Sequence, residues 1–264
     1  MPEGHSIRHY ADMHEKAFAN TRVATISPQG RFSDGAAKLN NQMFTGVSAH
    51  GKHLFLHFEE DILHIHLGLY GSFTWRRGPS FASPKETARL RISNEMFASD
   101  LSGPTACEVI DDAGRQNKVS KLGPDPIHDD ANPEDAWIKI HKSSKTIGEL
   151  LMDQSIIAGI GNVYRAELLF LSNTSPFVPG KYLPQEVFED IWANSVRLLR
   201  LGAKDGRINT VSAEHLRGEE VDLHGRMQYN YVYKRTGRGC VVCGTAISTA
   251  LLGSRTVYWC ETCQ

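Results

Sequence analysis

Ile7, Tyr10, Ala11, His14 and Phe18 recur near helical spacing, which predicts an amphipathic helix over residues 5–19. After Gly30 the pattern shortens. Lys52–Phe58 and Ile62–Leu67 read as two strands joined by the acidic turn Glu59-Glu60-Asp61, and Leu69–Trp75, Ala88–Ile92 and Met96–Leu101 read as further short strands. One helix followed by several short strands predicts a sandwich or barrel with a helix attached. Gly123-Pro124-Asp125-Pro126, followed by Asp129, Asp130, Asn132 and Pro133, reads as a turn-rich acidic connector. Beyond it helical spacing returns. Ile147, Leu150, Leu151, Gln154 and Ile157 share a face, Asn162–Leu171 reads as a second helix, and residues 185–201 as another. Residues 203–225 are polar and read as a mobile loop. From Tyr229 onward β-type residues and cysteines return. The pattern divides the chain into residues 1–122, a linker 123–135, a helical domain 136–228 and a terminal hairpin 229–264.

Composition changes this picture little: 264 residues with 41% hydrophobic and 22% charged are ordinary for a two-domain globular chain. There is no apolar run of about 18 residues, so no membrane span is expected. The first residues pass through Arg8, His9 and Asp12 before any long apolar stretch. No secretory signal is therefore expected, and the cytoplasm is the expected compartment. With 29 Lys+Arg against 30 Asp+Glu the chain is not uniformly basic, though a local basic face is compatible with that balance. Residues 226–264 supply one: Arg226, Lys234, Arg235, Arg238 and Arg255 oppose only Glu261.

The cysteines carry more information. Cys240-x2-Cys243, sixteen intervening residues and Cys260-x2-Cys263 form a two-knuckle pattern that suits one Zn2+ in a closed tetrahedral, structural site. Cys107 stands apart and reads as a small buried apolar residue. A second motif is Gly159-Ile160-Gly161-Asn162, where Asn162 falls at the position of a helix N-cap. A helix N-terminus of this kind suits a phosphate, and it equally suits a plain helical hairpin. His53, His57, His64 and His66 fall in same-face pairs on the two strands. With no acidic partner evident beside them, they read as neutral hydrogen-bonding imidazoles rather than a second metal site.

Four segments together resemble one family: Met1-Pro2-Glu3-Gly4, Gly51-Lys52-His53-Leu54, Asp153–Phe170, and Cys240–Gln264 with Ser254-Arg255-Thr256. The chain resembles the bacterial formamidopyrimidine-DNA glycosylase and endonuclease VIII family over its whole length. Its start and Leu69-Tyr70-Gly71 place it nearer the endonuclease VIII branch, in the form found in actinobacteria. The resemblance implies an α+β fold: an N-terminal helix with a β-sandwich, then a helix–two-turn–helix domain and a zinc hairpin. It also implies a monomeric base-excision-repair enzyme that binds damaged DNA between the two halves, removes oxidised bases, pyrimidines foremost, and cuts the abasic strand.

The resemblance gives the residues roles. On pattern alone Pro2 is an ordinary helix-start proline and Glu3 an ordinary acid of a first helical turn. By resemblance Pro2, freed of Met1, is the amine that attacks the sugar, and Glu3 is the acid. Lys52, otherwise a charge closing an apolar strand face, becomes the cation assisting base loss and elimination. Arg255 clamps the phosphate beside the lesion, and Asn162 and Lys121 contact neighbouring phosphates. Leu69 and Tyr70 form the wedge that fills the gap left by a flipped nucleotide. Residues 203–225 are placed to cover the flipped base. Two departures stand out. Gly68 lies beside the wedge where relatives carry a polar residue, and Ser6 stands where many members carry a second glutamate. The alternatives are the same chemistry on oxidised purines, or a damaged-DNA-binding protein without turnover.

Overall fold

Backbone pairing, rather than local propensity, shapes the first half of the chain. The computed structural model describes residues 2–215 and 230–264, which fall into two units meeting at Lys121 and Leu122. The first unit begins with α1 (Gly4–Phe18), followed by β1 (Thr21–Arg22), β2 (Ala24–Ile26) and α2 (Ser33–Leu39). Then come β3 (Met43–His50), β4 (His53–Phe58), β5 (Ile62–His66), β6 (Ser72–Arg77), β7 (Ala88–Ser93), β8 (Phe97–Ser102), β9 (Ala106–Ile110) and α3 (Asp112–Val119). One sheet runs β1-β3-β4-β5-β9 and the other β2-β7-β8-β6, all antiparallel. Leu54, Leu56, Leu63 and Ile65 from the first sheet and Phe73, Leu90, Ile92 and Leu101 from the second meet in one buried core. The buried face of α1 (Ile7, Ala11, Phe18) joins the same core. This is the expected sandwich with a helix attached.

Several elements differ from their sequence reading. The strand expected at Leu69–Trp75 starts only at Ser72, because 69 and 70 form a turn. The longest strand, β3, is absent from the reading, because a bulge between Phe44 and Gly46 breaks its two-residue alternation. Two-residue β1 and three-residue β2 are too short to show a period at all. Lys52 precedes β4 and sits in the β3–β4 turn, so it does not belong to the strand face of Leu54 and Leu56.

The second unit holds α4 (Pro133–His141), α5 (Ile147–Leu150), α6 (Asn162–Leu171), α7 (Gln185–Asp205) and the hairpin β10 (Ser248–Leu252) and β11 (Arg255–Trp259). The stretch read as a connector is folded into this unit. The Gly123 N–H donates to the Gln154 carbonyl, the Pro124 carbonyl accepts from Ala158, and Asp125 is buried. α4 begins inside that stretch, capped by the Asn132 side chain on the Glu134 N–H. The helix expected through Ile157 stops at Leu150, where α5 carries a capping box of Thr146 and Glu149. The turns that follow are held by Gln154, which donates to the carbonyls of Met152 and Ile160 and accepts from the Gly159 N–H. At the other end α7 outruns its reading and stops at Gly206, in the left-handed region. Thr210 and Val211 are buried, so the start of the expected loop is packed; residues 216–225 of it lie outside the described residues. Among the described residues no helix is long and apolar enough to cross a membrane.

His14 sits at the centre of the first core, fully buried between the rings of Phe73 and Trp75. Its Nδ1 lies 2.7 Å from the Tyr10 carbonyl and its Nε2 3.2 Å from Ser99 Oγ. Burial pushes its pKa down from 6.5 to about 4, the Tyr10 carbonyl opposing the shift. The unfolded chain therefore takes up a proton below pH 6.5 that the folded chain refuses. The contribution of His14 is fully present above pH 6.5 and falls by about 1.4 kcal/mol per pH unit as pH drops towards 4. Urea denaturation at pH 7.5, 5.5 and 4.5 is expected to show a shallower pH slope for His14→Gln than for the unaltered protein. Equal slopes would contradict this account.

Candidate active site and metal centre

Register and helix packing gather five of the first unit's sequence-predicted residues at one end. His50 pairs with His53 and His53 with His66, so the β3–β4 turn carrying Lys52 lies beside the end of β5. Leu69 and Tyr70 lie in the short link from β5 in the first sheet to β6 in the second. Both are exposed, Leu69 by 41% and Tyr70 by 87%, so neither belongs to the sandwich core. α1 packs along β3 and β4. Its Phe18 end meets Phe44, where β3 begins, while Trp75 gives way to Phe73 on moving back from Phe18 through His14 to Tyr10. A 15-residue helix at about 1.5 Å per residue nearly matches the eight residues of β3 at about 3.3 Å, so α1 begins at the Lys52 end. Pro2 and Glu3 are there.

Their local setting differs from the reading. Pro2 is not the first helical residue: α1 starts at Gly4, and Glu3 is its N-cap in extended conformation. Glu3 is completely buried, its carbonyl accepting from the N–H groups of Ser6 and Ile7. A fully buried carboxyl at a chain start is not an ordinary first-turn surface acid. Ser6 Oγ lies 2.9 Å from Nε2 of His5, whose pKa burial lowers to about 3. Gly68 adopts φ +65°, and a Cβ there would collide with Thr105, which accounts for glycine before the Leu69-Tyr70 turn. Lys121, the last residue of this unit, is exposed in a turn after α3.

The histidines form a ladder on the face of the first sheet opposite the core. His53 Nδ1 lies 2.9 Å from His64 Nε2, and His64 Nδ1 2.9 Å from Glu108, which also pairs with Lys118 of α3. His57 bonds Ser48, and His66 Nδ1 accepts from the Gly68 N–H. The acidic partner missing from the reading is thus Glu108, brought from β9 by strand pairing. Burial, with the neighbouring His66 and His64 next, lowers the pKa of His53 to about 3. Cys107 is half-buried against the core, and burial pushes its thiol up to about 12.

In the second unit Asn162 is the first residue of α6 and Gly161 its N-cap, so the Asn162 side chain does not cap the helix. Its Nδ2 instead donates to the Thr256 carbonyl at the start of β11, 3.1 Å away. This links Asn162 to Arg255, which opens β11 after the two-residue turn Gly253-Ser254, with Gly253 at φ +59°. The structure therefore brings Asn162 and Arg255 together, as the sequence could not.

The four cysteines converge. All their sulfurs lie within 4.8 Å of one another, with Cys240–Cys263 at 3.9 Å and Cys243–Cys260 at 3.4 Å. A tetrahedron with metal–sulfur bonds of about 2.3 Å places its sulfurs about 3.8 Å apart, so the cluster fits a metal ion. The four thiolates would hold it with no open position, and the ion would supply cohesion to the hairpin.

Sequence reasoning missed Glu167. It is wholly buried in α6 and accepts from the N–H groups of Tyr231 (2.6 Å), Val232 (2.9 Å) and Tyr233 (2.8 Å) and from the Thr210 hydroxyl. Burial raises its pKa against these bonds. The available signal was an acid inside the apolar run Val163–Leu171, which a buried helix tolerates only when the charge is satisfied.

Comparison with known proteins fits this geometry. Residues 1–106 match the formamidopyrimidine-DNA glycosylase N-terminal domain and residues 122–213 its H2TH domain. The chain belongs to the formamidopyrimidine-DNA glycosylase and endonuclease VIII family. It is therefore a DNA glycosylase of base excision repair by family. It is 46% identical over 268 residues to Endonuclease 8 1 of Mycobacterium tuberculosis, both chains being covered in full. Endonuclease 8 2 of the same organism is 32% identical over 278 residues, again across the whole of both chains. A solved structure of Lactococcus lactis formamidopyrimidine-DNA glycosylase, bound non-covalently to DNA containing an abasic site, superposes with a TM-score of 0.80 at 21% identity. It covers 99% of each chain and shares the fold. The α+β architecture and the hairpin with its cysteine cluster agree with the sequence reading.

Removing the metal is expected to unravel the hairpin while leaving the N-terminal sandwich intact. Trp259 of β11 packs edge-on against Phe177 at 5.0 Å, so it reports the change. Strong chelation, or Cys240→Ser, is expected to abolish most of the near-ultraviolet dichroism of Trp259, read as the difference from a Trp259→Phe control. An unaltered signal in metal-free protein would refute the structural role.

Proposed function

We propose that the protein is a bifunctional DNA glycosylase and abasic-site lyase acting on oxidised bases, pyrimidines foremost, in the cytoplasm on nucleoid DNA. The carrying observation is the gathering of Pro2, buried Glu3, Lys52 and the exposed Leu69-Tyr70 turn at one end of the first unit. The abasic-site DNA bound by the Lactococcus relative supports damaged DNA as the partner. Four cysteines alone favour Zn2+ over harder cations, which prefer oxygen ligands.

After removal of Met1, Pro2 carries a secondary α-amine. Chain-terminal amines titrate near about 7.7–8.0, far below lysine, so an unprotonated fraction exists at neutral pH. Its nitrogen attacks C1′ of the deoxyribose. The N-glycosidic bond breaks, and the base leaves with a proton delivered through Glu3, which general acid catalysis makes worth about 10²–10⁴-fold. The nitrogen loses its proton, the C1′–O4′ bond opens with O4′ taking up a proton, and the nitrogen lone pair closes onto C1′ to give the iminium ion. Loss of a C2′ proton then expels the 3′ phosphate, and a second elimination expels the 5′ phosphate. Lys52 stabilises the charge that develops at the sugar, and Leu69 and Tyr70 occupy the gap left by the extruded nucleotide. In the second unit Arg255 and Asn162 hold phosphates, with Lys121 of the first unit contributing another contact.

Borohydride trapping on abasic DNA tests the covalent step. A crosslink is expected with the processed protein and is expected to be lost in Pro2→Gly. Undiminished crosslinking by that variant would overturn the assignment of the amine, and no crosslink with the unaltered protein would favour a binding protein without turnover. Cleavage of duplexes holding one oxidised pyrimidine or one oxidised purine decides the substrate, faster pyrimidine cleavage being expected. Arg255→Ala is expected to weaken δ-elimination and DNA affinity while base removal partly survives; activity equal to the unaltered protein would refute the clamp.

A further inference from the structure

Arg165 lies one turn into α6 and is 1% exposed. A cation in the first turn of a helix opposes the helix dipole, and burying it adds a desolvation cost. A residue that breaks two local rules at once calls for a compensating contact. Arg165 Nη2 donates to both Asn162 Oδ1 and the Thr256 carbonyl, the latter at 2.9 Å, and Nη1 reaches the Gly148 carbonyl at 3.4 Å. The Thr256 carbonyl accepts from Asn162 Nδ2 as well. Because a guanidinium can only donate, Asn162 must turn its oxygen towards Arg165, and this fixes which way its NH2 group points.

We propose that Arg165 is a positioning residue that locks the Asn162 amide and the Arg255-Thr256 backbone into one rigid phosphate-gripping unit. The inference rests on the phosphate roles given to Asn162 and Arg255 above and names the group that makes them act together. One planar fork spans the start of α6 and the tip of the hairpin. A lysine, with a single point of donation, reaches fewer of these acceptors at once. Arg165 itself touches no DNA in this scheme. Its influence travels through a side-chain amide and a backbone carbonyl.

The test is a double-substitution cycle of unaltered protein, Arg165→Met, Arg255→Ala and the pair, with Arg165→Lys as the conservative variant. Each is assayed for bound zinc, affinity for a duplex containing a tetrahydrofuran abasic analogue, and the ratio of δ- to β-elimination product. Arg165→Met is expected to retain zinc and lower both affinity and δ product by about tenfold, with Arg165→Lys intermediate. In the Arg255→Ala background the same change is expected to cost at most about twofold, because the residue it positions is gone. Equal losses in both backgrounds, or loss of zinc in both Arg165 variants, would overturn the positioning role. Unimpaired δ-elimination by Arg255→Ala alone overturns the phosphate reading beneath it, so the two failures are distinguishable.

Discussion

The pairing of His50 with His53 and of His53 with His66 is the constraint on which the first unit depends. Strand register has a period of two, so a slip of one residue would turn Leu54, Leu56, Leu63 and Ile65 out of the core and the imidazoles into it. The same register sets Lys52 and the Leu69-Tyr70 turn at one level along the sheet. α1 answers to that level because its apolar face is clasped by both sheets. Within this unit, therefore, Pro2, the buried Glu3 and Lys52 are brought to one end by hydrophobic packing and backbone hydrogen bonds.

The second unit solves a different problem with buried charge. Its hairpin is too small to enclose a large core, and the apolar residues buried from Cys240 onward (Cys240, Ile247, Val257 and Cys260) are few. Three devices compensate: the cysteine cluster, the Glu167 carboxylate bound to three successive N–H groups, and Arg165 reaching the hairpin backbone. Each would be costly if left incomplete, since an unpaired buried ion or amide loses its hydration without return. The carbonyl of Thr256, the neighbour of Arg255, accepts from both Arg165 Nη2 and Asn162 Nδ2.

Much of the candidate site was legible because it is local. Cys-x2-Cys spacing and the opening Pro2-Glu3 are contiguous signals, and the Gly161-Asn162 step correctly marked the start of α6. What was illegible is long-range. The Glu108 partner of His64 lies 44 residues away, and Thr256, which ties Asn162 to the hairpin, lies 94 away. Neither separation leaves a periodic trace. The bulge in β3 erased a signal that should have been local, and Gln154 bent the chain where apolar spacing alone continued a helix. Asn162 shows the general difficulty: residue type and position suggested a cap, yet its side chain bonds Arg165 and Thr256 rather than the N–H groups of α6.

Glu167 binds Thr210 on one side and Tyr231, Val232 and Tyr233 on the other, so a single carboxylate fastens both flanks of the intervening sequence. That arrangement isolates the scaffold from whatever lies between the two anchors. A change of length between the anchors costs little in closure entropy, which grows only slowly with loop length, so both flanks stay fastened to α6 by the same carboxylate.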